Sequence, residues 1–225
     1  MRDAAMRPAA VLFDCDGVLA DSEALANQAV AANLTALGWP MTPHAARETF
    51  LGMSLPAMVP VIEKRLGRAL PADWPKRLVA ELVALYDGDA LRPVPGAPEA
   101  VAAIRAAGIP MAVASNSGRE ELRRKAVLLP FFAAFEGRIF CFEDVARAKP
   151  FPDMYLAAAR ACGAPPTDCV VVEDSPAGVR AGVAAGCRVI GVARESTVLD
   201  LLEAGASETL SDLSALPGML GLVPA

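Results

Sequence analysis

The sequence predicts an α/β protein: a doubly wound parallel sheet, a Rossmann-like core, carrying an inserted all-α cap. Three observations point there. Short, nearly all-apolar runs recur at Ala9–Phe13, Ile109–Ala114, Gly137–Phe140, Cys169–Val172 and Arg188–Val192. Strands buried on both faces read this way, as in a parallel sheet covered by helices. Ala-rich helical stretches with start and stop signals alternate with these runs, the order of a doubly wound sheet. Between about Asp21 and Asp89 the alternation breaks, and only helical patterns are found.

Each element has its own justification. The first run, Val11-Leu12-Phe13, ends abruptly in Asp14-Cys15-Asp16-Gly17. Side chains at i and i+2 of a strand share a face, so Asp14 and Asp16 stand together and Cys15 faces away. The broken segment reads as four helices, Glu23–Leu37, Pro43–Phe50, Leu55–Leu66 and Pro75–Tyr86, punctuated by Gly38-Trp39-Pro40, Gly52, Gly67 and Pro71. A right-handed crossover needs one helix, not four. The block is therefore expected to be a separate cap over the ligand-binding edge, residues 18–89, with the core formed by 1–17 and 90–225. Further on, Pro98-Glu99 opens a helix that closes at Gly108. Ser115-Asn116-Ser117-Gly118 opens Arg119–Ala126, and Pro152 begins another helix. Ser175-Pro176 supplies an N-cap and a first-turn proline for a helix closing near Gly186. Thr197 begins a short one ended by Gly205.

Composition narrows the function. Hydrophobic residues make up 54% of the 225, and charged ones 21%, so a large core is available. The net charge is −5 and no Lys/Arg stripe occurs, which argues against nucleic acid or an anionic membrane surface as partner. Five scattered cysteines without a C-x-x-C spacing read as small buried residues in a reducing compartment. A lone histidine, His44, is too little for a zinc site or a Ser-His-Asp arrangement. Met1–Pro8 lacks a signal-peptide pattern, and no apolar stretch reaches membrane-spanning length. The protein is expected in the cytoplasm, as a monomer or weak homodimer.

Four strand ends carry polar groups. Asp14 and Asp16 repel unless a proton or a cation intervenes, an arrangement suited to phosphate chemistry in which one group attacks and the other transfers a proton. Ser115 beside the free N–H groups of a helix start can cradle a phosphate. Lys149 lies in Lys149-Pro150-Phe151-Pro152, where Pro150 holds it extended. Glu173-Asp174 at the end of a buried strand suits a hard, oxygen-ligated cation such as Mg²⁺. Singly, each has a plainer reading: a solvated turn, an N-cap, a surface lysine, acidic capping. In a parallel α/β sheet, however, the C-terminal strand ends line one crevice, so all four motifs converge.

With Phe13-Asp14-Cys15-Asp16-Gly17-Val18-Leu19-Ala20-Asp21-Ser22-Glu23, Ala114-Ser115-Asn116-Ser117, Lys149-Pro150 and Glu173-Asp174-Ser175-Pro176-Ala177-Gly178, the chain resembles the haloacid dehalogenase-like hydrolases. Within them it is similar to the β-phosphoglucomutase-like and sugar-phosphate phosphatase branch with a helical cap. The resemblance implies Asp14 as nucleophile and Asp16 as general acid/base, with Ser115, Asn116 and Lys149 as phosphate-binding residues. It further implies Mg²⁺ held by Asp14, Asp16 (through its carbonyl) and Asp174, with Glu173 in support. An ordinary Asp titrates near 3.9. Asp16 is therefore expected to be raised by burial under the cap, and Asp14 to be kept ionised by the metal.

The rival readings fare less well. A phosphosugar mutase needs basic cap residues to hold a second phosphate; in the resemblance, Leu55 and Ala26 stand where the mutase has an arginine and a histidine. A dehalogenase would leave Asp16 idle. A phospho-acceptor signalling module is about half this length, and a silent scaffold would not need all six polar residues. The expected activity is Mg²⁺-dependent hydrolysis of a small phosphorylated metabolite, a sugar or sugar-acid phosphate. Ser22, Gly52, Met53 and Ser54 are the expected specificity residues of the cap, with hinges near Val18–Asp21 and Leu85–Val94.

Overall fold

A computed structural model describes residues 7–87 and 91–222. The proposed cap–core boundary at residues 89/90 lies outside them, as does the middle of the second expected hinge. In chain order come β1 (Ala10–Phe13) and β2 (Ala20–Asp21), then helices α1 (Glu23–Ala36), α2 (Pro43–Phe50), α3 (Leu55–Leu66) and α4 (Trp74–Leu85). β3 (Arg92–Pro93), α5 (Ala97–Ala106), β4 (Met111–Ser115), α6 (Arg119–Leu128), β5 (Ile139–Cys141) and α7 (Asp153–Ala161) follow. The chain continues with β6 (Cys169–Glu173), α8 (Pro176–Ala184), β7 (Arg188–Val192), α9 (Val198–Glu203), β8 (Glu208–Leu210) and α10 (Leu216–Met219).

Six strands form one sheet in the order β5-β4-β1-β6-β7-β8, and each neighbouring pair is parallel. Both faces are covered, which explains the unbroken apolar runs. Val11 and Phe13 of β1 pack into one core with α5 and the insert, while Ala10 and Leu12 face Tyr155, Ala158 and Val179 on the other side. The five expected strands are present, with ends displaced by up to two residues at their starts and at most one at their finishes. β8 was not expected. Its Glu208-Thr209-Leu210 is a short edge strand, half exposed and without an apolar run.

The expected helices are also present. Ser175 Oγ accepts from the Gly178 N–H at 3.1 Å, and Thr197 caps α9 by accepting from the Asp200 N–H. The four insert helices pack as α1 against α2 and α4, around Leu34, Ile62, Trp74 and Leu78. Where the chain leaves and re-enters the core, β2 and β3 pair antiparallel, Ala20 opposite Pro93 and Asp21 opposite Arg92. The two expected hinges are thus tied to each other. The insert also touches the core beyond its roots: Asn116 Nδ2 donates to the Gly52 carbonyl at 2.8 Å, and Arg47 pairs with Glu195 at 2.8 Å.

Candidate active site

β1 lies between β4 and β6, so the chain diverges to opposite sides of the sheet at its C-terminal end, where α/β sheets bind ligands. Asp14 extends β1 by one ladder bond, its N–H donating to the Val172 carbonyl at 2.9 Å. The chain then turns sharply: Leu19 and Ala20 N–H both donate to the Cys15 carbonyl, and Gly17 N–H donates to Ala20. Gly17 has φ +70°, and a Cβ there would sit 1.9 Å from Asp174 Oδ2. Glycine is therefore required twice over, for the turn and for the approach of the second acidic loop.

The polar groups at three strand ends and Lys149, from the loop beyond β5, meet here. Asp14, Asp16, Ser115, Asn116, Lys149, Glu173 and Asp174 line one cavity of about 320 Å³ beneath the insert. The Lys149 ammonium is buried and donates to Asp14 Oδ1 and Glu173 Oε1, both at 2.6 Å, and to Tyr155 Oη at 2.9 Å. Glu173 is held from every side. Tyr155 donates to its Oε1, Ser175 N–H and Oγ to its Oε2, and Gly178 leaves room where a Cβ would meet its carboxylate at 1.5 Å. Lys149 is positioned by Asn116, whose Oδ1 accepts from the Lys149 N–H at 3.0 Å. Asn116 Nδ2 is shared between the Lys149 and Gly52 carbonyls. Its side-chain amide is thus committed to bracing Lys149 and the insert loop. The Lys149–Pro150 peptide is cis.

Asp16 occupies a different environment. Its Oδ1 accepts from Ser22 and from the fully buried Lys125, and its Oδ2 from Ser117 at 2.8 Å and Ser115 at 3.2 Å. A carboxylate offers about four lone-pair sites, and all are in use. Lys125 continues to Glu121 Oε1 at 2.8 Å, which also accepts from Tyr86 Oη at 2.8 Å. Tyr86 follows α4, so this chain of contacts reaches from the general acid/base candidate to the far root of the insert.

These surroundings reverse the expected order of acidities. Burial raises Asp14 to about 7; Lys149 opposes this, while Glu173 and Asp16 add to it. Burial would raise Asp16 too, but Lys125 and the hydrogen bonds of Lys125, Ser22 and Ser117 outweigh it and hold Asp16 below its ordinary value. The expectation of a raised Asp16 is thereby corrected: a buried ammonium, not seen from the sequence, faces it. Asp174 is pushed well up by burial and by Asp14 and Glu173. Glu23, at the start of α1, is raised to about 8 by burial and by Asp16 and Glu195.

The geometry of the corner marks a place for a cation. Oxygens of Asp14, Glu173 and Asp174 all lie within 4.8 Å of one another, and Asp174 Oδ2 is buried without a hydrogen-bond partner. Three oxygen donors, one of them unengaged, fit a hard divalent ion. The Asp16 side chain is not in this group, since its oxygens are taken by Lys125 and the serines.

Of the four expected cap residues, Gly52 and Met53 line the cavity. Ser22 and Ser54 are buried, 0% and 3% exposed, and do not. Ser22 instead holds Asp16, since its position at the root of α1 turns its hydroxyl back to the core. Sequence reasoning missed Lys125, Glu121, Tyr86 and Tyr155. Glu121 and Lys125 look like an ordinary i,i+4 surface pair, and Tyr155 like any core aromatic of α7.

The chain is similar to several known proteins. The chain is 30% identical over 181 residues to the 6-phosphogluconate phosphatase of Escherichia coli, covering 80% of each chain. It is 32% identical over 194 residues to hexitol phosphatase A of that organism, covering 83% of this chain and 84% of that one. The crystal structure of CbbY from Rhodobacter sphaeroides in complex with phosphate superposes with a TM-score of 0.82 at 28% identity, over 96% of this chain and 100% of that one. A family model matches residues 8–186, from the root of β1 to the end of the α8 region, and by it the chain belongs to the haloacid dehalogenase-like hydrolases.

Proposed function

We propose that this protein is a phosphatase of small phosphomonoesters that works through an aspartyl-phosphate on Asp14 and depends on Mg²⁺. The observation that carries the reading is the Asp14 corner. A carboxylate at a strand end is gripped by the buried Lys149, beside two further carboxylates, one with a buried oxygen left unengaged. The sugar-phosphate phosphatases among the relatives support the substrate class.

Asp14, Glu173 and Asp174 would hold the ion, which supplies positive charge against the phosphoryl oxygens and keeps Asp14 ionised. The remaining work belongs to the chain. Asp14 attacks phosphorus in line with the ester oxygen, and Lys149 neutralises charge on the transferring group. Ser115 and the N–H groups opening α6 bind its outer oxygens. Asp16 donates a proton to the departing alkoxide and later takes one from the water that cleaves the aspartyl-phosphate. To do so it must release one of its four donors and carry a proton at the moment of ester cleavage. Its unpaired state is therefore transient.

The mutase alternative finds little support, since Ala26 and Leu55 both line the cavity and no arginine or histidine does among the described residues. The five unpaired cysteines support a reducing, cytoplasmic setting. Hydrolysis of p-nitrophenyl phosphate with Mg²⁺, abolished by excess EDTA and restored by Mg²⁺, tests the proposal. Undiminished turnover in EDTA refutes it.

A further inference from the structure

The phosphoryl group is anchored at Asp14 and Lys149, so the rest of the substrate must lie in the part of the cavity walled by the insert. That wall is built from Val30, Phe50, Met53, Leu55, Met58 and Leu82. Most polar side chains near it are already engaged: Asn116 with Lys149 and Gly52, Ser115 and Ser117 with Asp16, Ser175 with Glu173 and Gly178, while Asn27 Nδ2 donates to Glu23 at 3.3 Å. Charge is one-sided. Eight carboxylates line the cavity against two lysines; Lys149 is committed to Asp14 and Glu173, and Lys76 is exposed. Glu120 and Glu143 add negative charge beyond the phosphate corner.

Resting on the phosphatase reading, we propose that the substrate carries a single phosphate on a neutral leaving group with an apolar face. A second anion would meet Glu120 and Glu143, with only the exposed Lys76 at the rim to offset them. A polyol would bury hydroxyls against aliphatic side chains, and unpaired buried polar groups are costly. Phosphate esters of sugar acids and bisphosphates are therefore poor substrates of this chain, including the compound that the Escherichia coli relative is named for.

Three esters of primary alcohols share the same leaving-group chemistry and differ only in what the cavity meets: benzyl phosphate, glucose 6-phosphate and 6-phosphogluconate. With the full chain and Mg²⁺, kcat/KM should fall in that order, benzyl phosphate exceeding 6-phosphogluconate at least tenfold. A smaller ratio, or the reverse order, overturns the proposal. p-Nitrophenyl phosphate separates the two readings: if it too is inert with Mg²⁺, the phosphatase assignment has failed. In that event the affinities of the three esters for the Asp14→Asn protein, measured calorimetrically with Mg²⁺, still decide the preference by the same tenfold criterion. Adding positive charge at the rim should relax the exclusion. Met53→Arg should raise the 6-phosphogluconate to glucose 6-phosphate ratio about fivefold, as expected for one charge in a partly solvated cleft, and Glu120→Lys, a change of two charges, should raise it further. If the ratio does not move in either variant, charge does not set the preference and the proposal is wrong.

Discussion

Asp14 and Asp16 are two residues apart at the end of one strand, yet they sit in opposite electrostatic surroundings. Around Asp14 the chain gathers two more carboxylates and one ammonium, leaving the corner short of positive charge and one oxygen of Asp174 without a partner. Around Asp16 it gathers a buried ammonium and three hydroxyls, which fill every acceptor site. In the proposed mechanism the first corner is completed only by a cation and a phosphoryl group, while the second is complete in itself and must loosen to act. A nucleophile would gain from a site that only a ligand can neutralise, whereas a proton carrier has to be held in place between turnovers.

The strongest way to break this contrast is to remove the nucleophile. Asp14→Asn should cost on the order of 10⁴–10⁶-fold in turnover and abolish incorporation of labelled phosphate. Stoichiometric labelling of that variant would move the chemistry elsewhere. Asp16→Asn should cost about 10²–10⁴-fold on alkyl phosphates. The loss should shrink markedly on p-nitrophenyl phosphate, whose leaving group scarcely needs a proton. Equal losses on both esters would deny Asp16 a role in proton transfer.

The contrast also has a signature in stability. Asp14 is raised from 3.8 to about 7, so the folded, metal-free protein holds a proton there that the unfolded chain releases. The stability this contributes is present below pH 4 and is lost as pH rises through 7, a difference of several kcal/mol. Asp174 acts with the same sign, and Glu23 extends the loss towards pH 8. Asp16, held low by Lys125, acts oppositely: its contribution is present above pH 4 and disappears in stronger acid. In EDTA the melting temperature should therefore peak near pH 4–5 and decline towards pH 8, and Mg²⁺ should flatten the decline. A flat profile in EDTA between pH 5 and 8 would contradict the assignment. The smallest expected effect is that of Lys125→Met, about 10–100-fold, since a hydrogen bond to a charged group is worth about 1.5–3 kcal/mol. Because this variant leaves Glu121 buried and unpaired, Glu121→Gln/Lys125→Met is the better comparison. If Lys125 acts through Asp16, the loss in the double variant should be larger on alkyl phosphates than on p-nitrophenyl phosphate.

Much of this was legible in the sequence. Apolar runs located five strands because burial on both faces forbids polar residues there, and β8 escaped because an edge strand lacks that constraint. Asp14, Asp16, Ser115, Glu173 and Asp174 could be read because each lies at the end of such a run, where the sheet topology fixes its position, whereas Lys149, in the loop well beyond β5, was read from the prolines that follow it. Lys125 and Tyr155 lie on helices, where the rotation that aims a side chain at the site depends on packing that no short pattern encodes. Ser22 was found but misassigned. Its sequence position places it in the insert, and only the tight turn after Gly17 shows that it faces the core.

The ribbon of β2 and β3 has a consequence for how this molecule can change. Paired antiparallel backbones lie about 5 Å apart, so the core meets the beginning and end of the insert as neighbouring points, as it would a hairpin. Segments whose ends lie so close can be lengthened, trimmed or exchanged without altering the distance that the host fold must bridge. The helices that wall the cavity can therefore diverge while the strand ends bearing Asp14, Lys149 and Asp174 stay fixed. New specificities can arise in one part of the chain at little risk to the chemistry encoded in the other.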